Sequence, residues 1–199
     1  MTVFHLLRHG EHSLQGKIVA GRRSGIGLSE RGRAEAAGAA ETLASAGVTA
    51  IYASPLDRAR ETAGIVGRRL GLDVAIRDDL DEVDFGDWTG STFDDVRRDP
   101  HWPAWANHRS IAAIPGGETM RAVQRRIVET LIELHAEHAD GVLVLVSHGD
   151  VIRSGLAFAL GMPIEYLTRI EVATGSLSTI RIDANGIRVT GLNDRARTS

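Results

Sequence analysis

Apolar residues in this chain fall into two kinds of pattern, and the two alternate. Short runs such as Val3-Phe4-His5-Leu6-Leu7 and the unbroken Val142-Leu143-Val144-Leu145-Val146 have the length and composition of strands buried on both faces. Residues 48–53 read as a third strand. Longer stretches space their apolar residues along one face of a helix. These are residues 28–46, alanine-rich and ended by Gly47; residues 55–70, closed by Gly71; residues 118–139, the longest; and residues 151–160. Residues 176–182 and 187–192 form a hairpin across Asp183-Ala184-Asn185-Gly186, a sheet edge, and residues 193–199 read as a frayed tail. Strands that alternate with helices predict an α/β fold, a three-layer α/β/α sandwich around a mainly parallel mixed sheet.

Two of the strand exits carry the same residue types. The first strand stops at Arg8-His9-Gly10-Glu11, with Gly10 marking a turn. The run at 142–146 stops at Ser147-His148-Gly149-Asp150 and passes into a helix. In open α/β sheets, ligands collect beyond the carboxyl ends of strands, so neighbouring parallel strands would bring both imidazoles to one edge. A cation delivered with an imidazole suggests the handling of an anion such as phosphate.

The strand at 48–53 leads into Ser54-Pro55-Leu56-Asp57-Arg58, where Ser54 fits as N-cap, Pro55 as first helical residue and Asp57 as capping-box acid. A helix start welcomes anions, and Arg58, one turn in, can fork a phosphate. Arg60, Arg68 and Arg69 read as solvated face residues. The acidic, turn-rich stretch Leu80-Asp81-Glu82-Val83-Asp84-Phe85-Gly86-Asp87-Trp88 offers four candidate proton carriers, and spacing does not choose among them.

Taken in order, these segments resemble the histidine phosphatase superfamily, the phosphoglycerate mutase-like group, over residues 3–182. The resemblance implies a phosphoglycerate mutase-like fold with His9 as nucleophile. It places Arg8, Arg58 and His148 on the phosphoryl oxygens, with Gly149 beside them, and selects Glu82 as proton donor. Pro115-Gly116-Gly117-Glu118-Thr119 looks like the family's loop at the start of a long helix, and Gly21-Arg22-Arg23-Ser24 like its mobile loop. Leu28-Ser29-Glu30-Arg31-Gly32 looks like the start of its second helix. Gln15 stands where family members often carry a phosphate-contacting Asn, one methylene shorter. The implied chemistry is metal-independent phosphoryl transfer without a cofactor. A neutral His9, its pKa depressed by Arg8 and Arg58, forms a phosphohistidine, and Glu82 supplies and retrieves a proton.

Rival motifs fail on detail. Gly10 to Lys17 has one residue too many for a nucleotide P-loop, with Ile18 where Ser or Thr is needed. Gly25-Ile26-Gly27 lacks the third glycine of a dinucleotide turn, and Leu145 replaces the first glycine of a serine-hydrolase elbow. His135 and His138 share a helix side and read as solvated.

Composition narrows the class. At 199 residues the chain suits a single domain. It has no cysteine, so disulfides and thiolate metal sites are out. A net charge of -3 without a basic block argues against nucleic acid as partner. No apolar run reaches membrane-spanning length, and the early first strand leaves no signal peptide, so a cytoplasmic enzyme is expected. A small-molecule phosphate ester is the expected partner and a homodimer a candidate assembly.

Residues 88–115 break the periodicity, interleaving Trp88, Phe93, Trp102 and Trp105 with Arg97, Arg98, His101, His108 and Arg109. Each tryptophan reads first as core of a small helical insert, and the insert as a unit overhangs the site. The insert looks shorter than the corresponding region in the mutases. That favours a phosphomonoesterase over a phosphomutase, and over a non-catalytic binder of phosphorylated ligands.

Overall fold

The computed structural model describes residues 1–195. Its centre is one sheet of six strands: β1 (Thr2–Arg8), β2 (Ala50–Ala53), β3 (Val74–Ile76), β4 (Val142–Ser147), β5 (Leu177–Asp183) and β6 (Gly186–Asp194). Their spatial order is β3-β2-β4-β1-β5-β6. The first four of these run parallel, β5 lies antiparallel to β1, and β6 antiparallel to β5. The sheet is therefore mixed and mainly parallel, as the pattern predicts.

The unbroken run in β4 has a direct cause. Leu143 and Leu145 enter one buried cluster with Phe4 and Leu6, while Val144 and Val146 enter a second with Leu7 and Ile51. Side chains alternate across a strand, so a strand covered on both faces needs an apolar residue at every position.

Helices α1 (Glu30–Leu43) and α2 (Asp57–Leu70) supply one cover. Buried Ala36, Ala39 and Ala40 of α1 and Ala59 and Ala63 of α2 let these helices approach closely. Helices α3 (Phe93–Arg98) and α4 (Trp102–Asn107) fall within the irregular stretch. Helices α5 (Met120–Glu137) and α6 (Gly149–Ala159) cover the other face through Val123, Ile127, Leu131, Ile152 and Leu156. Among the described residues no helix is long and apolar enough to cross a membrane.

Several local expectations are corrected. Helix α2 starts at Asp57 with Leu56 as N-cap and no side-chain cap, so Ser54 and Asp57 do not form a capping box. Asp57 instead accepts the Gly25 N–H at 2.6 Å. The edge strand β3 has no counterpart in the sequence reading. Asn193 and Asp194, expected in a frayed tail, end β6, and residues 196–199 of that tail lie outside the described residues. His135 and His138 are not simply solvated: they hydrogen-bond the Thr2 and Tyr52 hydroxyls, each at 2.7 Å.

Gly10 is needed for space, not for a left-handed turn. A Cβ there would sit 2.2 Å from the Gly32 carbonyl oxygen, and one at Gly32 would sit 2.0 Å from the Glu11 carbonyl oxygen. The start of α1 is thus pressed against the chain leaving β1. Gly10→Ala should lower unfolding stability by about 1–3 kcal/mol, the usual cost of overpacking, in a denaturant titration.

Candidate active site

Strands β1 and β4 are parallel neighbours with Arg8 paired to Ser147, so the residues that follow them leave the sheet side by side. The His9 and His148 rings lie 5.1 Å apart. His9 is 2% exposed, and its Nδ1 donates to the Gly10 carbonyl at 2.8 Å, which leaves Nε2 with a free lone pair. Burial first, then Arg58 and Arg8, holds its pKa well below the ordinary imidazole value. His148 caps α6, and its Nε2 lies 2.8 Å from Ser54 Oγ. Burial, then Arg58 and His9, holds the His148 pKa well below the ordinary imidazole value as well.

Each arginine is anchored by one N–H, with the remainder of its donors unspent. Arg8 Nη1 donates to the Val172 carbonyl at 2.6 Å, and Arg58 Nη2 to the Gly21 carbonyl at 2.8 Å. Among the described residues, the buried side-chain polar atoms with no partner are Arg8 Nε, His12 Nδ1, Arg58 Nε and Nη1, Arg109 Nε and His148 Nδ1. All six are nitrogens. Arg8, His12, Arg58 and Arg109 line one cleft of about 250 Å³ together with His9 and Glu82. Buried polar groups ordinarily find partners, so converging guanidinium N–H groups and imidazole nitrogens with none form a cradle suited to an anion. The first residues of α6 open onto the same cleft, and a helix N-terminus also favours an anion.

The structure also sorts the four acids. Asp81 Oδ1 accepts the Glu82 backbone N–H at 2.8 Å and the Ser54 hydroxyl at 3.2 Å. Asp84 Oδ1 accepts the Gly86 N–H at 2.9 Å, and exposed Asp87 stands against Gly116. Glu82 alone among them lines the cleft, with Oε2 3.8 Å from His148 Nδ1. Burial, with Asp150 adding to it, pushes the Glu82 carboxyl up to about 7 against the opposing pull of Arg58, the Val83 N–H and Arg8. The loop carrying it is fastened by Glu118, whose carboxylate accepts from Asp84 N–H, Arg22 and Arg126.

A sequence profile of the histidine phosphatase superfamily (branch 1) matches residues 4–195. The chain belongs to that superfamily. Over 184 residues it is 36% identical to a bifunctional protein of Mycobacterium tuberculosis, covering 91% of this chain and 50% of that protein. The chain thus spans about half the length of the mycobacterial relatives it matches. It is 29% identical to the adenosylcobalamin/alpha-ribazole phosphatase of Escherichia coli over 194 residues, covering 96% of this chain and 95% of that enzyme. The solved structure of Bacillus stearothermophilus YhfR superposes with a TM-score of 0.91 at 28% identity, covering 98% of both chains.

Of the residues expected at a superfamily site, Arg8, His9, Arg58, Glu82, His148 and Gly149 converge here. Gln15 lines the mouth of the cleft and is exposed, and its side chain makes no hydrogen bond to a described residue. The apolar wall includes Val19, Phe85, Trp88, Phe93, Trp102 and Trp105. Trp88 and Trp105 serve two purposes, buried against each other at 6.1 Å while bordering the cleft. Sequence alone does not assign Ser54, Glu118 and His12 to these positions. Ser54 reads from its neighbours as a helix cap. Glu118 lies inside the Pro115–Thr119 landmark, and His12 follows the first motif without a spacing signal of its own.

Proposed function

We propose that the chain is a metal-independent phosphomonoesterase that works through a phosphohistidine on His9. The observation that carries this reading is the set of unspent guanidinium N–H donors from Arg8 and Arg58, with the unpartnered Nδ1 of His148, around a buried His9 imidazole whose pKa is held well below its ordinary value. The phosphatase activity named for the Escherichia coli relative supports it.

In the first step, the His9 Nε2 lone pair forms a bond to phosphorus as the bond to the ester oxygen breaks. Glu82, protonated near neutral pH, gives its proton to that oxygen, so an alcohol leaves in place of an alkoxide. In the second step, water attacks phosphorus, the N–P bond breaks, and the Glu82 carboxylate takes the water's proton. Inorganic phosphate leaves, with His9 and Glu82 back in their starting states. Arg8, Arg58 and His148 hold the three phosphoryl oxygens, where charge spreads in the transition state. The leaving group meets the tryptophan-lined wall, which sets its selection apart from the chemistry.

With a simple aryl phosphate, phosphate release should saturate without any bisphosphorylated primer, and a chelator should leave the rate unchanged. Vanadate should inhibit by adopting five-coordinate geometry at the same donors. Turnover that required 3-phosphoglycerate plus its bisphosphate would replace this reading with a mutase.

A further inference from the structure

His12 lies directly beyond the first motif, and no role in the steps above falls to it. Its side chain is nonetheless built into the site. The residue is 6% exposed and lines the cleft. Its ring is 5.6 Å from that of His9, tilted by 37°. The backbone fixes it there, bridged to Leu28 and accepting the Gln15 N–H at 2.9 Å. Its Nδ1 is buried and without a partner, the property shared by Arg8, Arg58 and His148.

We propose that His12 is a further phosphoryl-binding residue, donating its Nδ1–H to a phosphoryl oxygen beside the guanidinium donors of Arg8 and Arg58. The inference rests on the reading of the cleft as a phosphoryl site and adds a contact to it. A side chain present only to fill volume would be apolar, because burying an unpaired imidazole nitrogen costs free energy. Charge explains the choice of residue. Burial first, then Arg58 and Arg8, lowers the His12 pKa to about 4, so the ring is neutral at physiological pH. A neutral imidazole adds one N–H without repelling the two guanidinium groups, which a lysine or a third arginine would do.

Inorganic phosphate and orthovanadate are the probes, titrated into the full chain. His12→Ala and His12→Phe should each weaken phosphate binding by about 10- to 100-fold, the worth of a hydrogen bond to a charged group. His12→Gln, whose amide N–H can reach the same oxygen, should recover most of that loss. A packing role would order the variants differently, with Phe, which keeps a ring, nearest the unaltered protein. Phosphate affinity of His12→Phe within about twofold of the unaltered chain would overturn the proposal.

Ring-nitrogen NMR of the unaltered protein gives a readout independent of the variants' folding. With phosphate bound, His12 should carry its proton on Nδ1, and a bare Nδ1 would overturn the assignment. If the unaltered chain bound neither phosphate nor vanadate, the phosphoryl site itself would fall, and this contact with it. Normal binding by the unaltered chain and by all three variants would remove His12 alone.

Discussion

Replacing His9 with alanine should lower turnover by at least about a thousandfold, the scale of loss seen when a covalent nucleophile is removed. The geometry explains why the Ser147-His148 pair on the neighbouring strand cannot stand in. His9 keeps Nε2 free because its Nδ1–H is spent on the Gly10 carbonyl at 2.8 Å. His148, the imidazole at the neighbouring strand exit, has its Nε2 occupied by Ser54 at 2.8 Å. Ser147, the adjacent hydroxyl, donates to the Leu80 carbonyl at 2.7 Å and faces away from the chemistry. The side-chain hydrogen bond of His9 is to its own neighbour, so the variant should fold, and circular dichroism with a melting curve will check this. Quenching a reaction with labelled substrate should leave acid-labile radiolabel on His9. Label recovered on Ser147 would overturn the phosphohistidine route.

Glu82→Gln should cost on the order of 10²–10⁴ in the chemical step with alkyl phosphates, the usual contribution of a positioned acid. A nitrophenolate leaves without a proton, so the loss with nitrophenyl phosphate should be clearly smaller where bond cleavage limits the rate. The pH profile carries the same signature. The proton donor must be protonated, and burial holds the Glu82 carboxyl at about 7. For the alkyl ester, kcat/KM should therefore fall as pH rises through that value. The opposite limb, set by loss of neutral His9, should lie well below the ordinary imidazole range. Glu82→Gln should abolish the alkaline limb. Asp84→Asn should be milder on both esters, since that carboxylate accepts the Gly86 N–H and shapes the loop. An alkyl-selective loss at Asp84 larger than at Glu82 would move the acid to that residue.

Local periodicity was enough to read most of the fold. The β4 run is apolar at every position because Leu143 and Leu145 serve one buried cluster and Val144 and Val146 the other. Strand period and double burial are properties of a short segment, so they appear in the residue order itself. The two histidines at strand exits were legible for the same reason, and parallel pairing of β1 and β4 then set them side by side. Strand β3 was not legible, because its three residues are half-buried or exposed at a sheet edge and owe their form to pairing with β2.

Tertiary structure decided what the polar side chains are for. The local sequence makes Ser54 a plausible helix cap, yet its hydroxyl is engaged by Asp81 and His148, 27 and 94 residues away. Four neighbouring acids are equivalent as letters, but only Glu82 among them lines the cleft, where burial raises its carboxyl. Gly10 reads as a turn residue and is instead required by the Gly32 carbonyl that packs against it. His12 carries no spacing signal, and its unpaired Nδ1 became visible only once the surrounding chain had closed over it. Hydrophobic pattern is written locally because burial is repeated along each element, whereas a hydrogen-bond partner or a missing one is fixed by which distant segments share the space.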